Sequence, residues 1–105
     1  RMLEKFLQAI HEKKLVQVKF VAKSDNQLRD RKCVPFDYGA SSTAKDKSDK
    51  YHFYDLNSPN GRHNLPLFPN QIREIKILEN ESFDPADYVK WEPTWIVERD
   101  WGQYS

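Results

Sequence analysis

The sequence predicts an α+β domain: an N-terminal helix on a small five-stranded antiparallel β-barrel or bent sheet, with an aromatic C-terminal extension. Three observations carry that prediction. Met2, Leu3, Phe6, Leu7 and Ile10 form one apolar stripe at helical spacing. From Leu15 the apolar period drops to two. Beyond that point, clusters of Ser, Asp, Asn, Pro and Gly cut the chain into short extended pieces.

Taken in order, Glu4, Lys5, Gln8 and Glu12 oppose the apolar stripe, so residues 3–13 are expected as a helix with one face to cover. Val16, Val18 and Phe20 alternate with Gln17 and Lys19, a half-buried strand over 15–21. Ser24, Asp25 and Asn26 supply turn chemistry, and residues 30–36 resume an extended pattern, giving a hairpin. Pro35 has no N–H for a ladder, so it is read as an edge position or the end of this second strand. The stretch from Asp37 to Lys50 has no large apolar residue after Tyr38 and reads as a long loop. Residues 51–56 are aromatic and extended, and Asn57, Ser58, Pro59, Asn60 and Gly61 form a turn. Leu65 and Leu67 mark a fourth strand. Residues 72–78 fit a helix or a strand, and their β-branched content and short length favour the strand. Asp84 before Pro85 is a helix start, so residues 84–89 are expected to make a helical turn or two.

Composition bounds function more than it identifies it. At 105 residues and 12.5 kDa the chain has room for one modest core. Leu, Ile, Val and Phe make up 25 of the 105 residues, enough for a folded domain. Seventeen Lys and Arg against sixteen Asp and Glu leave +1, which removes the bulk attraction to phosphate typical of nucleic-acid binders. The charge is unevenly placed: residues 11–32 carry net +4 and residues 79–100 net −5. A single cysteine excludes an internal disulfide framework, and with no apolar run resembling a signal or a spanning segment the expectation is cytoplasmic, with no membrane. Arg1 precedes Met2, so the first residue is not taken as a native start.

Catalytic material is thin. Arg31 and Lys32 beside Cys33 would favour a thiolate, but a lone strand cysteine reads as a small packing residue. His11, His52 and His63 have no metal-ligand spacing. The three glycines are scattered at turns, with no phosphate loop among them. The chain is therefore read as a non-enzyme, with no cofactor and no metal. A binding signal is stronger. Along Tyr51-His52-Phe53-Tyr54, alternation sends Tyr51 and Phe53 to one side and His52 and Tyr54 to the other. With Arg29 and Arg31 on a neighbouring strand, and Arg62, a His52/Tyr54 face would stack a base and hold a phosphate. The bland reading has the aromatics filling both sides of a small barrel and the arginines guarding an edge.

The N-terminal helix and the strand Val16 to Val21 are followed by Arg31-Lys32-Cys33-Val34-Pro35-Phe36, by the strand Tyr51-His52-Phe53-Tyr54-Asp55, and by the run from Leu65-Pro66-Leu67 through Gln71-Ile72 to Leu78. This order of parts resembles the WYL domain of bacterial transcriptional regulators. The resemblance covers residues 3–89 and implies an Sm-like or SH3-like small barrel, residues 1–89, that senses a ligand or nucleic acid. Two departures matter: Tyr51-His52-Phe53 stands at the family's tryptophan-tyrosine-leucine strand, and Asn70-Gln71-Ile72 stands where the family carries a ligand-facing arginine. Residues 90–105 lie outside the pattern and hold Trp91, Trp95 and Trp101.

Two functions are thus expected. One is a ligand- or nucleic-acid-binding regulatory domain whose Arg29, Arg31, His52, Tyr54 and Arg62 hold a nucleotide or single strand. The other is a protein-interaction or self-association module whose Trp91, Trp95 and Trp101 dock on a protein partner or a second copy.

Overall fold

A computed structural model describes all 105 residues. Helix α1 (Met2–Glu12) is followed by β1 (Lys14–Val21), β2 (Leu28–Gly39), β3 (Lys50–Asp55), β4 (His63–Leu67) and β5 (Ile72–Ser82). All strand pairs are antiparallel and the order is β4-β3-β2-β1-β5. β4 and β5 are therefore edges, and the sheet is bent but not closed. The α+β class and every expected strand are present, including the ambiguous run at 72–78, which is the first part of β5.

The apolar stripe of α1 makes the fold's first layer. Phe6, Ala9 and Ile10 are buried, and the Phe6 ring meets Tyr51 and Phe53 edge-on at 5.0 and 5.1 Å. The helix stops at Lys13, whose backbone is left-handed at φ 55°. That reversal sends the chain straight into β1, and the Lys13 carbonyl accepts from Phe83 N–H at 3.0 Å beyond the end of β5. In β1, Val16, Val18 and Phe20 are buried and Lys19 is exposed, as the period-two pattern requires.

Two local expectations need correction. Pro35 neither ends β2 nor lies at an edge: it is buried in a central strand opposite Phe53. It is tolerated because the ladder slips between Pro35 and Asp37, with Phe36 as the extra residue, so the missing N–H falls at a bulge. The same bulge carries β2 on to Gly39, which shortens the expected loop to residues 40–49. After β5 the expected helical turn forms: Asp84 accepts from Ala86 N–H as an N-cap, Pro85–Asp87 make a 3-10 turn, and Val89 N–H donates to the Pro85 carbonyl at 2.8 Å.

Eighteen buried residues form one core cluster, drawn from α1, all five strands and the C-terminal segment, which contributes Phe83, Val89 and Trp101. Tail and sheet therefore share a core. No helix is long and apolar enough to cross a membrane.

Candidate functional site

The site is built where the C-terminal segment returns over β2 and β3. Tyr51 and Phe53 face α1 and are buried; His52 and Tyr54 face the other way, as alternation requires, but that side is covered. Tyr54 stacks on Phe36 at 5.8 Å, and its ring centre is 5.9 Å from that of Tyr88. Phe36 in turn meets Trp91 at 5.8 Å and Trp95 at 5.7 Å, and Trp95 meets Trp101 at 5.4 Å. One aromatic row thus runs from the sheet into the tail.

Asp37 and Arg99 lock this arrangement. Oδ2 of Asp37 accepts from Ile96 N–H, and Oδ1 from Val97 N–H, both at 2.9 Å, so one carboxylate holds two successive amides of the tail. Oδ1 also stands 3.3 Å from the Arg99 guanidinium, which donates to the Phe36 carbonyl as well. The Arg99 side chain is fully buried, with its guanidinium carbon 4.0 Å from the Trp95 ring centre and 4.4 Å from that of Trp101. Burial pushes its pKa down to about 10, and Asp37 beside it pulls the other way, so the group is charged at neutral pH. Trp101 Nε1 donates to the Ile10 carbonyl at 2.9 Å, which ties the end of the chain to the end of α1. Trp95 Nε1 donates to the Tyr104 carbonyl at 2.7 Å.

Beside this lock lies a groove of about 510 Å³, bordered by Phe36, His52, Asn64, Pro66, Trp91 and Trp95, with the loop from Ala40 to Thr43 as its far wall. His52 Nε2 donates to the Gly39 carbonyl at 2.8 Å, which fixes its ring in the wall. Lys47 Nζ donates to the Ser41 and Ser42 carbonyls at 3.1 Å, so an ammonium group stands behind the loop that walls the groove. Trp91 is 49% exposed and Ile96 61% exposed.

The remaining sequence-selected residues stand elsewhere. Arg29 is bound to the Asp25 carboxylate within its own hairpin, and that hydrogen bond holds Asp25 below the usual carboxylate range. Arg31 Nε is buried 3.4 Å from Asp55 Oδ2 and has no hydrogen-bond partner in the protein. His63 Nε2 is 3.9 Å from the same carboxylate oxygen. Arg62 is exposed in the turn before β4. The fold thus gathers His52, Trp91 and Trp95 at one groove, sets Tyr54 beneath it, and leaves Arg29, Arg31 and Arg62 apart. Trp101 belongs to the core. Cys33 is fully buried, and burial raises its thiol pKa far above the ordinary value, with Asp55 adding to the rise and Arg31 opposing it.

Asp37 and Arg99 were not singled out by the sequence, since 62 residues separate them and each has ordinary neighbours. The one available signal was an arginine in an otherwise acidic, tryptophan-rich segment, a composition that suits a guanidinium stacked on aromatic faces. Comparison of the chain with protein-family models, with curated proteins and with solved structures finds no match.

Proposed function

We propose that the chain is a non-enzymatic binding domain of the WYL type that takes a nucleotide, free or within a single strand, in the groove between β3, β4 and the C-terminal segment. The observation that carries this reading is the exposed Trp91 ring at a groove whose lining also includes Phe36, His52, Asn64 and Trp95. A base stacked on Trp91 gains apolar contact without reading its edge, and Asn64 offers both a donor and an acceptor to that edge. Lys47, tied to the carbonyls of the loop wall, does not itself line the groove but adds positive potential for a phosphate held at that wall. Arg29 and Arg31, already bound to carboxylates, are not needed.

The test is tryptophan fluorescence of the full chain titrated with a nucleoside monophosphate and with a short oligothymidylate. Binding is expected, with Trp91→Ala weakening it by about 1–3 kcal/mol and Arg29→Ala leaving it unchanged. Equal affinity in Trp91→Ala, or loss of binding in Arg29→Ala, refutes the groove. A second reading, a protein-interaction module, is favoured by the exposure of Trp91 and Ile96 side by side with the locked tail. It gains the field if no nucleotide or oligonucleotide binds.

A further inference from the structure

The two edges of the open sheet are unlike. β4 is five residues long and contains Pro66, which cannot donate to an added strand. β5 is eleven residues long, contains no proline, and pairs only on its β1 side. Its free side borders a groove of about 680 Å³ whose other wall includes Lys5 and Gln8 of α1. Consecutive residues 73–77 all line that groove. Beyond the register shift at Arg73, neighbouring side chains of residues 74–77 point to opposite faces, so a lining that takes all four means that the groove follows the backbone edge itself.

The charges along this edge are self-complementary. On the solvent face, Asp30, Lys19 and Glu74 stand opposite one another across β2, β1 and β5, with Lys19 Nζ 3.5 Å from the Glu74 carboxylate. This row reaches the edge on a negative group. The next row on the same face runs Lys32, Gln17, Lys76 and reaches the edge on a positive group. Between the two rows lies Ile75, buried on the opposite face.

We propose that the free edge of β5 is the interface between two copies of this chain, paired antiparallel about a two-fold axis at Ile75. In that register Glu74 of each copy faces Lys76 of the other, and Ile75 faces itself. Side chains stay on their own faces only if the pairing shifts in steps of two. The neighbouring registers are poor: a shift one way sets Glu74 against Glu74, and a shift the other way sets Lys76 against Lys76. Alternating charge then crosses from Asp30 through Lys19 and Glu74 to the second copy's Lys76. The dimer is isologous and closed, so its pairing does not propagate into a fibre. It does not depend on the nucleotide groove, which lies at the β4 end of the sheet.

Sedimentation equilibrium of the full chain, run from micromolar to on the order of 0.5 mM, is expected to show a monomer-dimer equilibrium ending at twice the 12.5 kDa chain mass. Glu74→Lys and Lys76→Glu each place like charges at both contacts, so each is expected to weaken its own dimer by about tenfold or more. Mixing the two variants restores opposite charges at both contacts, and a heterodimer of wild-type strength is expected. Circular dichroism of each variant checks that it is folded, and both positions are exposed. A chain that stays monomeric throughout the range overturns the proposal. So does a dimer that neither variant weakens, or a pair of weakened variants that fail to combine.

Discussion

Asp37 shows how much one side chain can organise. Its two oxygens take two tail amides and face a buried guanidinium, so removing the carboxylate leaves Arg99 charged and unpaired among tryptophans. Breaking such a pair from one side costs about 3–5 kcal/mol. Asp37→Ala is therefore expected to lower stability by that order in urea unfolding, with a red-shifted tryptophan emission before the main transition as the tail releases Trp95 and Trp101. Asp37→Ala with no loss of stability and no spectral change would show that the tail is held by its aromatics alone. Cys33 is the opposite kind of residue, small and inert. Its thiol pKa is raised in the fold, so the unfolded chain loses the proton first as pH rises. The associated stability is complete below the unfolded thiol's value near 9 and falls above it, by at most about 1.4 kcal/mol per pH unit. Native Cys33 is accordingly expected to label slowly with a thiol reagent at neutral pH, and Cys33→Ala should flatten the stability loss above pH 9.

Among the elements, the C-terminal segment behaves as a strap that depends on close approach to β2. Gly39, with φ 148°, sits under Ile96, and a Cβ there would run into the Ile96 side chain. Gly39→Ala is expected to destabilise by about 1–3 kcal/mol, chiefly through backbone strain at its positive φ, with the exposed end of Ile96 shifting aside at smaller cost. Ile96→Ala in the same chain should recover part of that loss in thermal unfolding, because the clash disappears while the strain stays. Full additivity of the two changes would mean that strap and strand do not press on one another. Helix α1 and strand β1 were legible from periodicity because their buried faces follow a single regular stripe. In β5 a register shift at Arg73 sets the buried Ile72 and Ile75 three residues apart, so β-branched content and short length, not period, favoured the strand. β2 was not legible past Pro35, since a bulge breaks alternation and nothing local announces which residue is extra.

On the scale of the whole molecule, the basic run at residues 11–32 is largely neutralised by partners from other elements. Lys19 meets Glu74, Lys32 meets Glu81 at 2.6 Å, Arg31 meets Asp55, and Arg29 meets Asp25 in its own hairpin. The positive patch visible in the sequence is therefore not an open phosphate track. If Lys47 is the single cation near a bound phosphate, the affinity for a single strand should fall with salt at a log–log slope no steeper than about −0.7. A slope several times steeper, measured by fluorescence titration at stepped salt concentrations, would return the basic run to the site.

By itself the sequence determined the class of fold, the strands met along the chain, and that Tyr51 and Phe53 share one side of the third strand, because these follow from local periodicity, composition and turn residues acting within a few residues. It also marked His52, Tyr54 and the tryptophans as notable. Only the tertiary structure decided what those residues meet. It covered Tyr54 with Phe36 and Tyr88, sank Trp101 beside α1, left Trp91 exposed at a groove, and bound Arg29 and Arg31 to carboxylates. The Asp37–Arg99 lock belongs to the same class. Such pairings join positions far apart in the chain, and their energies come from burial and geometry that no local pattern encodes.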